Sequence, residues 1–186
     1  MRLFTGIDLS SEVLDNLRVL AGKLQPEARI NWSPISNLHI TIKFIGEWPE
    51  TRLLALKEAL ARVPLPPPFQ VAIRGLGWFP NQSDPRVFWA GVDGPAPLWD
   101  LARDTEAALE PLGIAREERR YSPHLTLARI KTRLNLQRLF REIAALPSAD
   151  FGAFTAQAFN LYLSERRSSG SVYTKLAAFP LSGGVS

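Results

Sequence analysis

NLHITIKF, residues 37–44, sets one of the chain's two histidines two positions before a threonine, inside a run that alternates like a β-strand. PHLTLARI, residues 123–130, gives the other histidine the same neighbours: apolar, Thr, apolar. Strand side chains point to opposite faces in turn. His39, Thr41 and Lys43 are therefore expected on one face and Leu38, Ile40, Ile42 and Phe44 on the other. In the second strand His124 and Thr126 point one way, Leu125 and Leu127 the other. The apolar face belongs against helices, which leaves the polar face turned toward a cleft. With no third histidine in the chain, two sites built alike suggest one chemical device made from two halves.

The segments around these strands repeat at the same interval. His39 and His124 are 85 positions apart, and FTGID (4–8) matches WAGVD (89–93) when slid by 85. Phe69 and Phe154 open the next strand of each half at that offset, and the helices starting at 51 and near 136 line up. So long a period is no solenoid; it predicts two related lobes facing each other across a pseudo-two-fold axis. Strand signals lie at 2–8, 38–45, 69–79, 86–92, 124–130, around 154–164 and at 171–179. Helices are expected at 10–24, behind a serine cap and with Val13, Leu17, Leu20 and Leu24 on one face, and at 51–63, 98–112 and near 135–146. PLPPP (64–68) is a rigid connector and PNQSDP (80–85) a turn. The expected fold is α+β: one bilobal domain over residues 1–186, each lobe an antiparallel sheet with helices outside and the histidines in the groove between.

The totals narrow the function. At 186 residues with 46% hydrophobic and 22% charged content, the chain is long enough to bury a substantial core. It holds no apolar run of the roughly 20 residues that a membrane-spanning helix needs, and MRLFTGIDLS lacks a signal core and cleavage site, so the cytoplasm is expected. Zero cysteines exclude disulfides, thiolate metal sites and a Cys nucleophile, and two histidines are too few for a His-rich metal site. No cofactor is expected. The net charge of +4 supports a phosphate or nucleic-acid partner only weakly.

Two imidazoles facing each other across a cleft suit phosphodiester hydrolysis without metal. In-line displacement at phosphorus needs a base for the incoming water on one side and an acid for the departing oxygen on the other. Imidazole holds either proton state near neutral pH. Thr41 and Thr126 are placed to donate hydroxyl hydrogen bonds to the non-bridging oxygens.

HITI (39–42) and HLTL (124–127) resemble the paired H-x-T-x motifs of the two-histidine (2H) phosphoesterase superfamily. The flanks NLHITIKFIGE and SPHLTLARI, with RLFTGID, PRVFWAGV and LYLSERRSSGSVYTKLAAFPL, resemble the RNA 2′,3′-cyclic phosphodiesterases, the LigT-like or 2′-5′ RNA ligase family, across essentially the whole chain. The resemblance implies that a terminal 2′,3′-cyclic phosphate on RNA, such as a tRNA half or a short oligonucleotide carries, is opened to a 2′-phosphomonoester. It implies His39 as proton donor, His124 as proton acceptor and Arg129 as a further phosphate ligand, in a monomer. Ligation in the reverse direction and a non-catalytic RNA-end-binding module stay open as alternatives.

Strict alternation points Arg129 away from Thr126, so it needs a bulge or the strand's end to reach in. Lys43 has the right parity, although a solvated strand lysine looks the same. Trp78, Phe79, Trp89 and Tyr173 are candidates for stacking on a base, with core packing the competing reading. GLG (75–77) reads as a bulge or turn, since no third glycine and no helix follow.

Overall fold

The structure is a computed structural model that describes residues 1–168 and 170–182. Along the chain come β1 (Arg2–Asp8), α1 (Ser11–Leu24), the short β2 (Asn31–Trp32), β3 (His39–Glu47), α2 (Leu53–Ala61), β4 (Phe69–Phe79) and β5 (Val87–Asp93). They are followed by α3 (Ala96–Leu109), β6 (His124–Arg129), α4 (Gln137–Ala144), β7 (Asp150–Ala156), β8 (Ala158–Arg167) and β9 (Gly170–Pro180). The strands form two antiparallel sheets, β3-β1-β8-β9 and β2-β6-β5-β4-β7, in a mixed α+β fold. No helix among the described residues is long and apolar enough to cross a membrane.

Local chemistry explains the elements. Ser10 caps α1 by accepting the Val13 amide, and Val13, Leu17, Leu20 and Leu24 form its buried face. α1 packs against β7, and α3 packs against β3. The core between runs through Ile40, Phe88, Leu98, Leu101, Leu125 and Phe159, all fully buried. Several elements share the offset of 85: β1 and β5 are each seven residues, α1 and α3 each fourteen, and their first residues lie that far apart.

The segment expected as one strand near 154–164 is two. β7 ends at Ala156 and β8 begins at Ala158, with Gln157 alone between them, and the two belong to different sheets. No turn is needed where a strand passes from one sheet to the other, so no Gly or Pro marks the break. Phe154 accordingly lies inside β7 instead of opening the strand that answers β4. That strand is β8: Tyr162 stands opposite Phe4 as Gly77 stands opposite Trp89, both members of each comparison 85 apart. The first sheet therefore joins strands from the two ends of the chain, and the second is built from the stretch between Asn31 and Ala156.

Two bulges set the faces of the motif strands. Between β1 and β3, Thr5 stands opposite Lys43 and Gly6 opposite Thr41, which leaves Ile42 extra. Between β5 and β6, Phe88 stands opposite Ala128 and Trp89 opposite Thr126, which leaves Leu127 extra. An extra residue reverses the alternation beyond it. Lys43 consequently leaves the face of His39 and Thr41, contrary to the sequence expectation. It is buried on the opposite face, with Nζ 2.8 Å from Glu106 Oε1 and 2.7 Å from the Ala115 carbonyl. Phe44, 55% exposed, takes the expected place of Lys43. The GLG segment is a bulge as read: Gly75 has φ +79° where the β4–β5 register breaks.

Candidate active site

β3 and β6 belong to different sheets but lie against each other, and each presents its histidine and threonine on a half-exposed face. His39 Nδ1 is 2.7 Å from the Asn37 carbonyl and His124 Nδ1 is 2.8 Å from the Ser122 carbonyl. A carbonyl can only accept, so each Nδ1 carries hydrogen and each neutral ring has its lone pair on Nε2. Both carbonyls sit two residues before their histidine, which makes the two locks the same device. Thr41 Oγ1 lies 3.0 Å from His39 Nε2 and donates to it while the ring is neutral.

The packing around the rings is aromatic. Phe4 stacks on His39 with centroids 4.5 Å apart, and Tyr173 meets that ring edge-on at 5.4 Å. Gly6 makes room for it: a Cβ there would lie 2.8 Å from the Ile40 carbonyl and 3.2 Å from His39 Cδ2. Phe79 meets His124 edge-on at 5.0 Å and packs against Trp89, whose indole crosses Gly77. Of the four aromatics weighed between base stacking and core packing, Phe79, Trp89 and Tyr173 thus lie on the histidine faces. Trp78 points the other way, stacked on Phe88 in the core.

The Leu127 bulge brings Arg129 onto the face of His124 and Thr126, with the three opposite Val87, Gly91 and Trp89 of β5 respectively in the order Arg129, His124, Thr126. Its guanidinium is close enough to lower the His124 pKa, adding to the larger effect of burial, while the Ser122 carbonyl works in the opposite direction. Burial also lowers the His39 pKa; the Asn37 carbonyl and the Asp8 charge oppose this, and repulsion from His124 adds to it. The two imidazoles are therefore within electrostatic reach of each other.

Asp8 is a site neighbour that the sequence reading passed over. It stands opposite His39 in the β1–β3 ladder, whereas Gly91 stands opposite His124 in the β5–β6 ladder. Asp8 and Gly91 are not 85 apart, so one sheet is slid by two residues relative to the other. The slide puts a carboxylate beside one imidazole only. Lys175 Nζ donates to Asp8 Oδ2 at 2.6 Å and Asn160 Nδ2 at 3.4 Å, and the Tyr162 hydroxyl donates to Oδ1. Burial, helped by Asp8, pushes the Tyr162 pKa up and keeps that hydroxyl a donor. The one signal in the sequence was Asp8 closing the repeated FTGID segment.

Comparison with known proteins follows the same lines. The chain matches the family described as LigT like phosphoesterase over residues 7–89 and 92–173. It is 33% identical over 184 residues to an RNA 2′,3′-cyclic phosphodiesterase of Methanothermobacter thermautotrophicus, covering 97% of this chain and 99% of that protein. The protein of the same name from Thermus thermophilus is 35% identical over 195 residues, covering 98% and 91%. Among solved structures, a Thermus thermophilus protein superposes with a TM-score of 0.82 at 33% identity, covering 98% of this chain and 99% of that one. E. coli LigT complexed with 3′-AMP superposes with a TM-score of 0.80 at 26% identity, covering 97% of each chain. This chain belongs to the LigT-like phosphoesterase family.

Proposed function

We propose that this protein is an RNA 2′,3′-cyclic phosphodiesterase, a cytoplasmic enzyme in which His39 is the general acid and His124 the general base. Water attacks phosphorus as its proton passes to His124 Nε2; the P–O3′ bond breaks, and O3′ takes the proton from His39 Nε2. The product carries a 2′-phosphate and a free 3′-hydroxyl. Turnover leaves His124 charged and His39 neutral, and exchange with solvent resets both. Thr41, Thr126 and Arg129 hold the non-bridging oxygens, whose charge grows in the transition state. We further propose that residues 1–186 are one bilobal unit of two related halves; the two family-matched segments begin at 7 and 92, again 85 apart.

The observation that carries this reading is the identical Nδ1–carbonyl lock on both imidazoles, which leaves Nε2 as the proton-exchanging nitrogen of each, with Thr41 Oγ1 beside that of His39. Burial lowers the pKa of both rings and does not tell them apart, but the smaller effects of neighbouring charges do. The Asp8 charge favours the protonated form of His39, and the Arg129 charge favours the neutral form of His124. Purified protein incubated with a nucleoside 2′,3′-cyclic phosphate in excess EDTA tests the proposal. Conversion to the 2′-phosphate is expected. A 3′-phosphate product would overturn the leaving-group assignment, and tight binding without product would make the protein a binding module.

A further inference from the structure

Each motif strand is held by the segment that leads into the other motif. Ahead of β3, Asn31 and Trp32 pair with Arg129 and Ala128 of β6, and the Ser33 amide donates to the Leu127 carbonyl at 2.8 Å. Ahead of β6, the Ala115 carbonyl accepts from Lys43 Nζ, and the Tyr121 hydroxyl donates to the Thr41 carbonyl at 2.9 Å. Both clasps grip their strand at its bulge, beside Leu127 in one case and Ile42 in the other. One clasp is backbone; the other hangs on two side chains. Lys43 is anchored a second time by Glu106, which also accepts from the Glu117 amide at 3.3 Å. The residue 85 positions before Tyr121 is Ser36, which carries no phenol.

We propose that Tyr121 is a positioning residue that fixes the separation of the two imidazoles by tying the segment entering β6 to the Thr41 carbonyl of β3. The inference rests on the reading that both rings act at one phosphorus. Tyr121 acts through the backbone that carries the rings: its hydroxyl bonds two residues beyond His39, and its own main chain lies three residues before His124. Burial pushes its pKa up, so the hydroxyl stays a donor throughout the working pH range. Proton transfer to both ends of one phosphorus tolerates little error, and a misplacement of about 1 Å costs up to roughly 10²-fold in rate.

Tyr121→Phe keeps the ring and removes one hydroxyl, so the fold is retained. With a nucleoside 2′,3′-cyclic phosphate, kcat is expected to fall about tenfold with KM within about twofold, because the threonine and arginine contacts remain. NMR titration gives a readout independent of turnover. The chain has two histidines and hence two imidazole Cε1–H signals, and a changed spacing must displace the titration of His39, which feels the charge of His124. A lower kcat together with a displaced titration supports the proposal. Native kcat with only a lower melting temperature assigns Tyr121 to stability and overturns it; so does a lower kcat with both titrations unmoved. If the native protein itself shows no turnover, the catalytic reading fails, and the titrations alone decide whether Tyr121 sets the ring geometry.

Discussion

An imidazole with Nδ1–H tied to a carbonyl presents a single working nitrogen, and this chain builds that arrangement twice. Removing either ring by His39→Ala or His124→Ala is expected to lower kcat roughly 10²-fold or more, with circular dichroism unchanged; near-native turnover in either variant contradicts its role. Burial holds both rings below the ordinary histidine pKa of 6.5, so the bell-shaped profile of kcat/KM is expected to centre on the acid side of that value. Bound phosphate anion favours imidazolium, which moves the kcat profile to higher pH. Asp8→Asn removes the charge that favours protonated His39 and should cut the rate several-fold at neutral pH and less in acid; an equal loss at every pH would count against it. Stability follows with a definite sign. Below pH 6.5 the unfolded chain binds protons that the folded rings resist, so stability present above that pH is lost on acidification toward the folded values. The urea midpoint should fall in that window, and fall less in His39→Gln. The histidines and threonines were legible because rare residue types recur in matching neighbourhoods; Asp8 was not, because its relation to His39 depends on a ladder register.

At the scale of elements, the bulges at Ile42 and Leu127 decide which side chains reach the site. HITIKF fits unbroken alternation and hides its bulge, while in HLTLAR the one hint of a break is Arg129 falling in line with Leu125 and Leu127. That is why Lys43 read as a solvated residue on the face of His39, and why Arg129 read as needing a bulge, which β6 then supplied. A buried cation makes the difference measurable: Lys43→Met leaves Glu106 without its partner and should cost about 3 kcal/mol in denaturant unfolding. A loss near zero would return Lys43 to the solvent-facing role. Gly6→Ala forces a methyl against the Ile40 carbonyl and the His39 ring and is expected to cost roughly 1–3 kcal/mol and to lower kcat as well. The helices were read within a few residues because caps and spacing are local; the β7–β8 boundary was missed because a change of sheet leaves no turn residue behind.

In the whole molecule, exchange of strands makes the two sheets interdependent: β4 joins the second sheet, and β8 and β9 return to the first beside β1. Neither half of the chain can complete a sheet alone, so calorimetry should show one cooperative unfolding transition, and two resolved transitions would contradict the interlocked topology. The offset of 85 was the ground for expecting two related halves, but the two-residue slide between the sheets, which separates an imidazole beside Asp8 from one beside Arg129, is a tertiary fact with no sequence signature. The claim on which the rest depends is that both imidazoles meet one phosphate. Titrating the protein with a nucleoside 2′-monophosphate while following both imidazole Cε1–H signals tests this most directly. Both signals should move together, along one isotherm with one ligand per chain; movement of a single signal, or two separate isotherms, would contradict it.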